Sequence, residues 1–391
     1  MKILYISPFA PARDGIGAYT SALGMAVLGE GHDVRVVVPR LMPGSTDEVL
    51  GAIGSGPGEF VALRDVIVKW NPDVVHVQFA VAAFGTRTTR LVRLLNVLRR
   101  ELRAPIVVTM HEVTRDIALL RTAGRALYRR IACCCDKVIV HTDAAFNALT
   151  DSVGVPTSRV IVIPHPSART PAAGSTPDDL RARFGLGSAR ILLAFGFIHI
   201  DKGLGDLVRA LGILRLSATV PVDDIRVVVA GAVRPRHGPF RAFEARDRFH
   251  LARVLCQARG HALRRHLVLT GYVPDTDIAA WFGAAEAVVL PYRRTDQSGV
   301  AALANAFGVP VLASMAGGLG EQFADSRWTF PPRSPEHLAQ VLADFLSAPP
   351  HQRVTVSRPR QACDMATIAA ATLDVYLTAR ASITEDLRRV G

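Results

Sequence analysis

Cysteine is scarce in this chain, five in 391 residues. Cys133, Cys134 and Cys135 are consecutive, so their side chains fan around a helix instead of converging, and Cys256 and Cys363 lack a Cys-x-x-Cys partner. An odd number without regular spacing excludes a disulfide framework and a zinc site, and it agrees with a reducing compartment. Long apolar runs are missing too: none reaches the roughly 18 residues needed to span a bilayer. The opening MKILYISPF reads as a strand, without the apolar core and cleavage site of a signal peptide. A cytoplasmic protein is expected. Acidic residues are in deficit, 34 against 46 basic ones, for a net charge of +12. That balance favours acidic partners such as nucleotide phosphates or anionic lipid. Nucleic acid is not expected, because no aromatic-basic recognition motif accompanies the arginines. No His/Cys ligand cluster occurs, so no metal is expected.

What is present alternates. KILYIS, VRVVVP, DVVHVQ, PIVVTMHE, KVIVHT and VIVIP read as strands, separated by helical stretches near 17–30, 59–70, 87–103 and 118–135. Strand-helix alternation predicts an α/β fold with a parallel, doubly wound sheet. The stretch PHPSARTPAAGSTPDD, at 164–179, breaks the pattern and reads as a linker. A second series follows: RILLAFGFI, a helix at 203–215, IRVVVAG, a basic helix near 240–262, LVLTGYV, a helix at 275–284, AVVLPY, a helix at 298–307 and VPVLAS. The expected domains are 1–168 and 180–361, each Rossmann-like, with a helical tail over 362–391.

Two places in the second series suit a phosphate. ILLAFGFIHIDK is an apolar run that stops at Gly196 and delivers Lys202 to the start of the helical stretch GLGDLVRALGIL. Ligands of open parallel sheets bind at the carboxyl ends of strands, and a helix N-terminus offers free N–H groups and partial positive charge. About ninety residues later PYRRTDQSGVAALANAFGVPVLASMAGG places Gln297, Ser298 and Gly299 before a small-residue helix. Two such elements in one half suggest a grip on a diphosphate. In the first half, PFAPARDGIGAYTSALG sets Gly15 and Gly17 between strand and helix. A dinucleotide-binding reading fails there, since the third glycine spacing is missing and the next strand ends Val38-Pro39-Arg40 without an acid for the ribose.

The series KG-helix, GYVPDTDIAAWFGAAEAVVLPY, SG-helix, GVPVLAS and GG with a glutamate three residues on resembles the C-terminal half of family 4 nucleotide-sugar glycosyltransferases, in that order. The resemblance implies the GT-B fold, with two Rossmann-like domains facing a cleft and the last helix returning to the first domain. It implies a retaining, metal-independent transfer of sugar from a nucleotide diphosphate co-substrate to an acceptor hydroxyl, with no separate cofactor. The acceptor would be a glycolipid, a phosphoprenyl-linked glycan or a natural product. Catalytic roles would fall to Lys202 and His111, the latter at the end of the strand VVTMHE. Donor contacts would come from Gly15, Gly17, Gly196, His199, Lys202, Val273, Gln297, Ser298, Gly299, Val300 and Glu321. His76 and Gln78 in DVVHVQ and His165 in VIPHP are acceptor-side candidates.

The chain departs from its relatives in two respects. They carry a pair of glutamates flanking the SG-helix and an arginine beside the lysine, whereas here no acid occurs between Asp296 and Glu321, and Phe197 follows Gly196. A non-catalytic nucleotide-sugar-binding protein, or an auxiliary subunit, is the alternative this raises. The excess of positive charge concentrates at 87–130, where eleven arginines face Glu101, Glu112 and Asp116. Within that run Leu91, Leu94, Leu95, Leu98 and Leu102 recur at helical spacing. They predict a core-packed helix whose arginine face is either solvated or docked on anionic membrane.

Overall fold

The computed structural model describes all residues except 12–13, 55, 167–173, 218–219, 236–240, 356–363 and 391. The chain divides into two compact units, Met1–Pro166 with Gln361–Gly391, and Ser167–Arg360.

The first unit runs β1 (Lys2–Ile6), α1 (Gly15–Gly29), β2 (Asp33–Val38), β3 (Val49–Ala52), α2 (Pro57–Trp70), β4 (Val74–Phe79), α3 (Val81–Phe84), α4 (Thr88–Glu101), β5 (Ile106–Met110), α5 (Val113–Cys133), β6 (Lys137–Val140), α6 (Asp143–Asn147) and β7 (Val160–Val162). Its seven strands order as β3-β2-β1-β4-β5-β6-β7, every pair parallel. The strands are short runs of Val and Ile because both faces are covered. Alternate residues therefore enter different cores: Leu4, Ile6, Val75, Val77 and Phe79 pack with α2, α4 and α5, whereas Ile3, Tyr5 and Val74 pack on the other side. Leu91, Leu94, Leu95 and Leu98 of α4 are fully buried in the first of these cores, and the intervening Arg93, Arg99 and Arg100 are exposed.

The second unit runs α7 (Pro177–Arg183), β8 (Arg190–Phe195), α8 (Leu204–Ser217), β9 (Ile225–Ala230), α9 (Arg241–Gly260), β10 (Leu267–Leu269), α10 (Asp275–Ala284), β11 (Ala287–Leu290), α11 (Gly299–Ala306), β12 (Val311–Ser314), α12 (Gly318–Gln322), β13 (Thr329–Phe330) and α13 (Pro335–Ser347). Six strands order as β10-β9-β8-β11-β12-β13, again all parallel. The order reverses at β8, with β9 on one flank and β11 on the other, so the carboxyl ends of β8 and β11 border the crevice where such sheets take ligands. A final helix, α14 (Met365–Val390), packs on the first unit beside α1: Ile368, Ala369, Val375, Tyr376 and Ala379 join Tyr19, Leu23 and Val27 in one core.

Three elements differ from the sequence expectation. The stretch read as a linker up to 179 already contains the start of α7. There Thr176 caps the helix at Asp179 N–H and Asp179 reaches back to Thr176 N–H, with Pro177 in the first turn. That reciprocal cap is a helix start signal disguised by its small polar residues. The helix expected from 118 begins at Val113 and is broken at Arg121, where φ is +52°. Gly124 permits the break, since a Cβ there would lie 3.1 Å from the Asp116 carbonyl oxygen and 3.2 Å from Ile117 Cα. Strand β3 is a half-buried edge of only four residues, too short and too broken by Gly51 to carry a pattern.

Candidate active site

At the carboxyl edge of the second unit, Gly196 follows β8 with φ of +97°. It sits close enough to its neighbours that a Cβ on Gly231 would enter the Gly196 carbonyl, and one on Gly196 would lie 3.7 Å from Val300 Cγ2 at the start of α11. The chain then makes a 3-10 turn, Ile200–Lys202, in which His199 Nδ1 accepts from Asp201 N–H at 3.3 Å. Gly203, at φ +68°, must be glycine because a Cβ would be driven into the Pro291 carbonyl oxygen. That close approach sets Lys202 against the chain leaving β11, its Nζ 3.7 Å from the centroid of the Tyr292 ring. Gly196, Phe197, Lys202, Pro291 and Tyr292 line one pocket.

The loop from Pro291 to Gln297 is clamped from three sides. Arg293 donates its N–H to Asp201 O at 2.7 Å, and its guanidinium grips Asp206 through Nε and Nη2 at 2.8 and 2.9 Å. Burial opposes ionisation of Asp206, but hydrogen bonds from Arg293 and Arg209 hold its carboxyl below the usual range. Thr295 Oγ1 donates to Gln297 O at 2.5 Å, while Gly317 packs so tightly on the Thr295 carbonyl that only glycine fits. Ser298 then caps α11, its Oγ accepting from Ala301 N–H at 3.2 Å. The first bond of the helix runs from Ala302 N–H to Ser298 O, so the N–H groups of Gly299 and Val300 precede it and face outward as the positive end of the helix. Gln297 Oε1 and Tyr292 Oη are buried without a partner among the described residues. A buried acceptor with nothing donating to it costs about 1–3 kcal/mol, which a ligand hydroxyl would relieve.

The structure thus sets Gly196 in one pocket with Lys202 and against Val300, and holds Gln297, Ser298 and Gly299 on the clamped stretch that leads into α11. Glu321 lies half-buried in α12, and His199 caps the turn that carries Lys202. The Val273 side chain is a core residue among Trp281 and Leu290, so only its backbone faces outward. Asp275 and Asp277 open α10, but the Asp277 carboxylate is taken by Ser175 Oγ at 2.6 Å and Arg183 at 3.0 Å.

In the first unit the predicted residues form a buried chain. His76 and Gln78 alternate with valines on the β4 face that meets α14, and the register sets His76 beside Tyr5 and Gln78 beside Thr109. His76 Nδ1 lies 2.5 Å from Tyr376 Oη of α14, and its Nε2 is 2.8 Å from Thr109 Oγ1 and 3.3 Å from the Gln78 amide. That amide is 2.8 Å from His111 Nε2, and His111 Nδ1 is 3.2 Å from His141 Nε2. His141 Nδ1 ends the chain at 2.8 Å from the Ile163 carbonyl. Tyr19 of α1 packs its ring on His111, His141 and His165, with centroids 5.2, 5.5 and 5.3 Å away.

Burial pushes the His76 and His141 imidazoles down to about 3, His165 to about 4 and His111 well below its ordinary value, so all four are neutral. The Ile163 carbonyl can only accept, which makes His141 a donor at Nδ1 and an acceptor at Nε2. His111 must then donate from Nδ1 and accept at Nε2. The neutral chain closes when the Gln78 amide turns its NH2 toward His111, an orientation that follows from the hydrogen-bond pattern. Both ring nitrogens of His111 are consequently occupied.

Sequence reasoning missed His141. Its signal was present in KVIVHT, a histidine one position beyond β6, just as His111 stands one position beyond β5. The glycine loop also differs in detail. A Cβ at Gly17 would lie 3.3 Å from Pro8 O, while Gly15 has open space. Asp14 Oδ1 accepts from Ile16 and Gly17 N–H at 2.9 and 3.3 Å, so the negative charge at this helix start is the protein's own.

The chain matches the family described as Glycosyltransferase Family 4 over residues 13–166 and that described as Glycosyl transferases group 1 over residues 178–361. It is 26% identical to a glycogen synthase of Mycobacterium tuberculosis (strain ATCC 25618 / H37Rv), over 97% of this chain and 95% of that one. It is 26% identical to a GDP-mannose-dependent alpha-(1-6)-phosphatidylinositol monomannoside mannosyltransferase of Mycolicibacterium smegmatis, over 83% of each. Among solved structures, sucrose-phosphate synthase from Thermosynechococcus elongatus has a TM-score of 0.70 at 18% identity, covering 100% of this chain and 99% of its own. Anabaena HepE in complex with UDP has a TM-score of 0.67 at 16% identity, covering 100% of both. Two Rossmann-like parallel-sheet units make the GT-B fold, and the family matches make the chain a glycosyltransferase acting on a nucleotide sugar. The chain belongs to glycosyltransferase family 4.

The buried histidines make stability pH-dependent with a definite sign. Their folded-state pKa values lie below the unfolded one near 6.5. The unfolded chain therefore binds more protons as pH falls, and each such group costs about 2 kcal/mol between pH 7 and 5. Asp116 works the other way, since burial raises its carboxyl to about 6 and it gains stability on acidification, but it is one group against four. Scanning fluorimetry from pH 7.5 to 4.5 should show Tm falling steadily, with a shallower fall in His165→Gln. A flat profile would mean that these imidazoles are charged in the fold.

Proposed function

We propose that this protein is a retaining, metal-independent glycosyltransferase whose donor diphosphate is received by Lys202 and the N-terminus of α11. The observation that carries this is that Gly196 shares a pocket with Lys202 and stands against Val300 in the first turn of α11, the helix that Gln297, with its orphaned Oε1, precedes. The difficult moment in such a transfer is departure of the nucleoside diphosphate, whose growing charge needs donors fixed in advance. Lys202 supplies a full positive charge and the Gly299 and Val300 N–H groups supply oriented dipoles, so the chain's own residues meet that need without a cation. Gln297 and Glu321 are the groups for the sugar hydroxyls, while His111, both of whose ring nitrogens are taken by Gln78 and His141, shapes the strand edge of the first unit.

The acceptor reading rests on the first unit's basic surface. Between α2 and α4 lies a groove of about 660 Å³ lined by Phe60, Val61, Val97, Arg90, Arg93 and Arg100. Apolar floor with a rim of guanidinium groups suits an anionic lipid surface, where each basic residue contributes about 1 kcal/mol. The acceptor in the name of one relative, a phosphatidylinositol monomannoside, supports a lipid-linked acceptor for this chain too. No helix among the described residues is long and apolar enough to cross a membrane.

A thermal-shift screen of UDP-, GDP- and dTDP-sugars identifies the donor, because ligands of the native state raise its stability. With that donor, Lys202→Ala should lower turnover about 100-fold or more while leaving the fold intact; near-normal turnover would place the diphosphate elsewhere. Transfer should persist in excess EDTA, and a loss restored by magnesium would sink the cationic-side-chain mechanism. If a nucleotide sugar binds but no nucleoside diphosphate is ever released with any acceptor, the binding-protein reading replaces catalysis. For the acceptor side, flotation should carry the protein with anionic vesicles at low salt and not with neutral ones; equal, negligible binding to both would turn the search to soluble acceptors.

A further inference from the structure

A second basic cavity lies behind the turn that carries Lys202, between α8 and α9, and the donor reading makes no use of it. About 110 Å³ in volume, it is lined by Arg209, Arg293, Arg253, His250 and Gln257, with Gly205 on its wall. Glycine at 205 keeps this space open: a Cβ would stand 3.3 Å from Gln257 Oε1 and 3.8 Å from His250 Cε1. The negative charge beside it is already committed. Asp206 is gripped by both Arg293 and Arg209, and Asp247 lies 3.6 Å from Arg246 and accepts the Ile200 N–H at 3.4 Å. The lining itself carries three guanidinium groups and no carboxylate, while beside it Asp206 is shared by Arg209 and Arg293, Asp201 acts on Arg293 and Asp247 acts on His250. Two donors remain over: His250 Nε2 and Arg209 Nε are buried and have no partner among the described residues.

From this we infer a site for a small tetrahedral oxyanion of the inorganic phosphate class. Planar guanidinium groups match phosphate oxygens in pairs, and His250 donates from Nε2 when that nitrogen carries the proton. A volume of about 110 Å³ holds several waters and is enough for a free oxyanion. Arg293 belongs to both places, since its guanidinium lines this cavity while its backbone N–H and its pair with Asp206 clamp the Pro291–Gln297 loop.

Calorimetric titration of the full chain with sodium phosphate, against sodium chloride at equal ionic strength, tests the inference. Saturable phosphate binding is expected, weakened at least tenfold in Arg253→Ala and in His250→Ala and retained in Lys202→Ala. Arg253 is exposed, so its variant should fold, and circular dichroism checks this. Absence of saturable binding, or binding untouched by Arg253→Ala, overturns the site. Loss of binding in Lys202→Ala means that phosphate was occupying the donor pocket and overturns it equally. Tighter binding of glycerol 3-phosphate than of phosphate overturns the assignment to a free oxyanion.

Discussion

A parallel sheet cannot be joined by tight hairpins, and everything in this molecule follows from that constraint. Each strand must be reached by a crossover that passes over a face of the sheet, so both faces are covered by helices and the strands become short runs of Val, Ile and Leu. The carboxyl ends of all strands in a unit then emerge on one edge. Polar chemistry has nowhere else to collect. In the first unit that edge gathers His111, His141 and His165 from three consecutive strand ends, and in the second it gathers Gly196, Lys202 and the loop after β11.

The two edges handle buried polarity in opposite ways. The first satisfies it internally, passing one hydrogen bond to the next from the Ile163 carbonyl through four strands to Tyr376. The second leaves it incomplete, with Gln297 Oε1 and Tyr292 Oη unmatched among the described residues. A closed network rigidifies and an open one invites a ligand. That contrast, more than the identity of any single residue, supports the proposal that the second edge receives the donor.

Alternation of branched runs with helical ones made the doubly wound architecture legible, because strand burial on both faces writes itself into composition. The leucines of α4 were legible for a similar reason: helical period and burial coincide. Lys202 and the Gln-Ser-Gly helix start stood out because glycine and charge punctuate otherwise apolar stretches. His141 was hidden, since a lone histidine after a strand carries no mark of its partners, and those partners lie about 30 residues away along the chain. The Arg293–Asp206 pair was hidden as well, being 87 residues apart in sequence. Helix α7 was obscured by local composition, its proline and aspartates reading as a linker until their capping geometry is seen.

The bond between Tyr376 and His76 joins residues 300 positions apart, and it bears on the order in which the molecule can be made. The first unit emerges from synthesis with its sheet complete but the face that meets α14 uncovered, leaving His76, Tyr5 and Tyr19 without their lid. The whole second unit must be translated before that lid exists, a wait of roughly 10 to 40 s at about 5–20 residues per second. During that interval the sheet of the first unit waits half-dressed. The unit begun first is therefore the unit finished last.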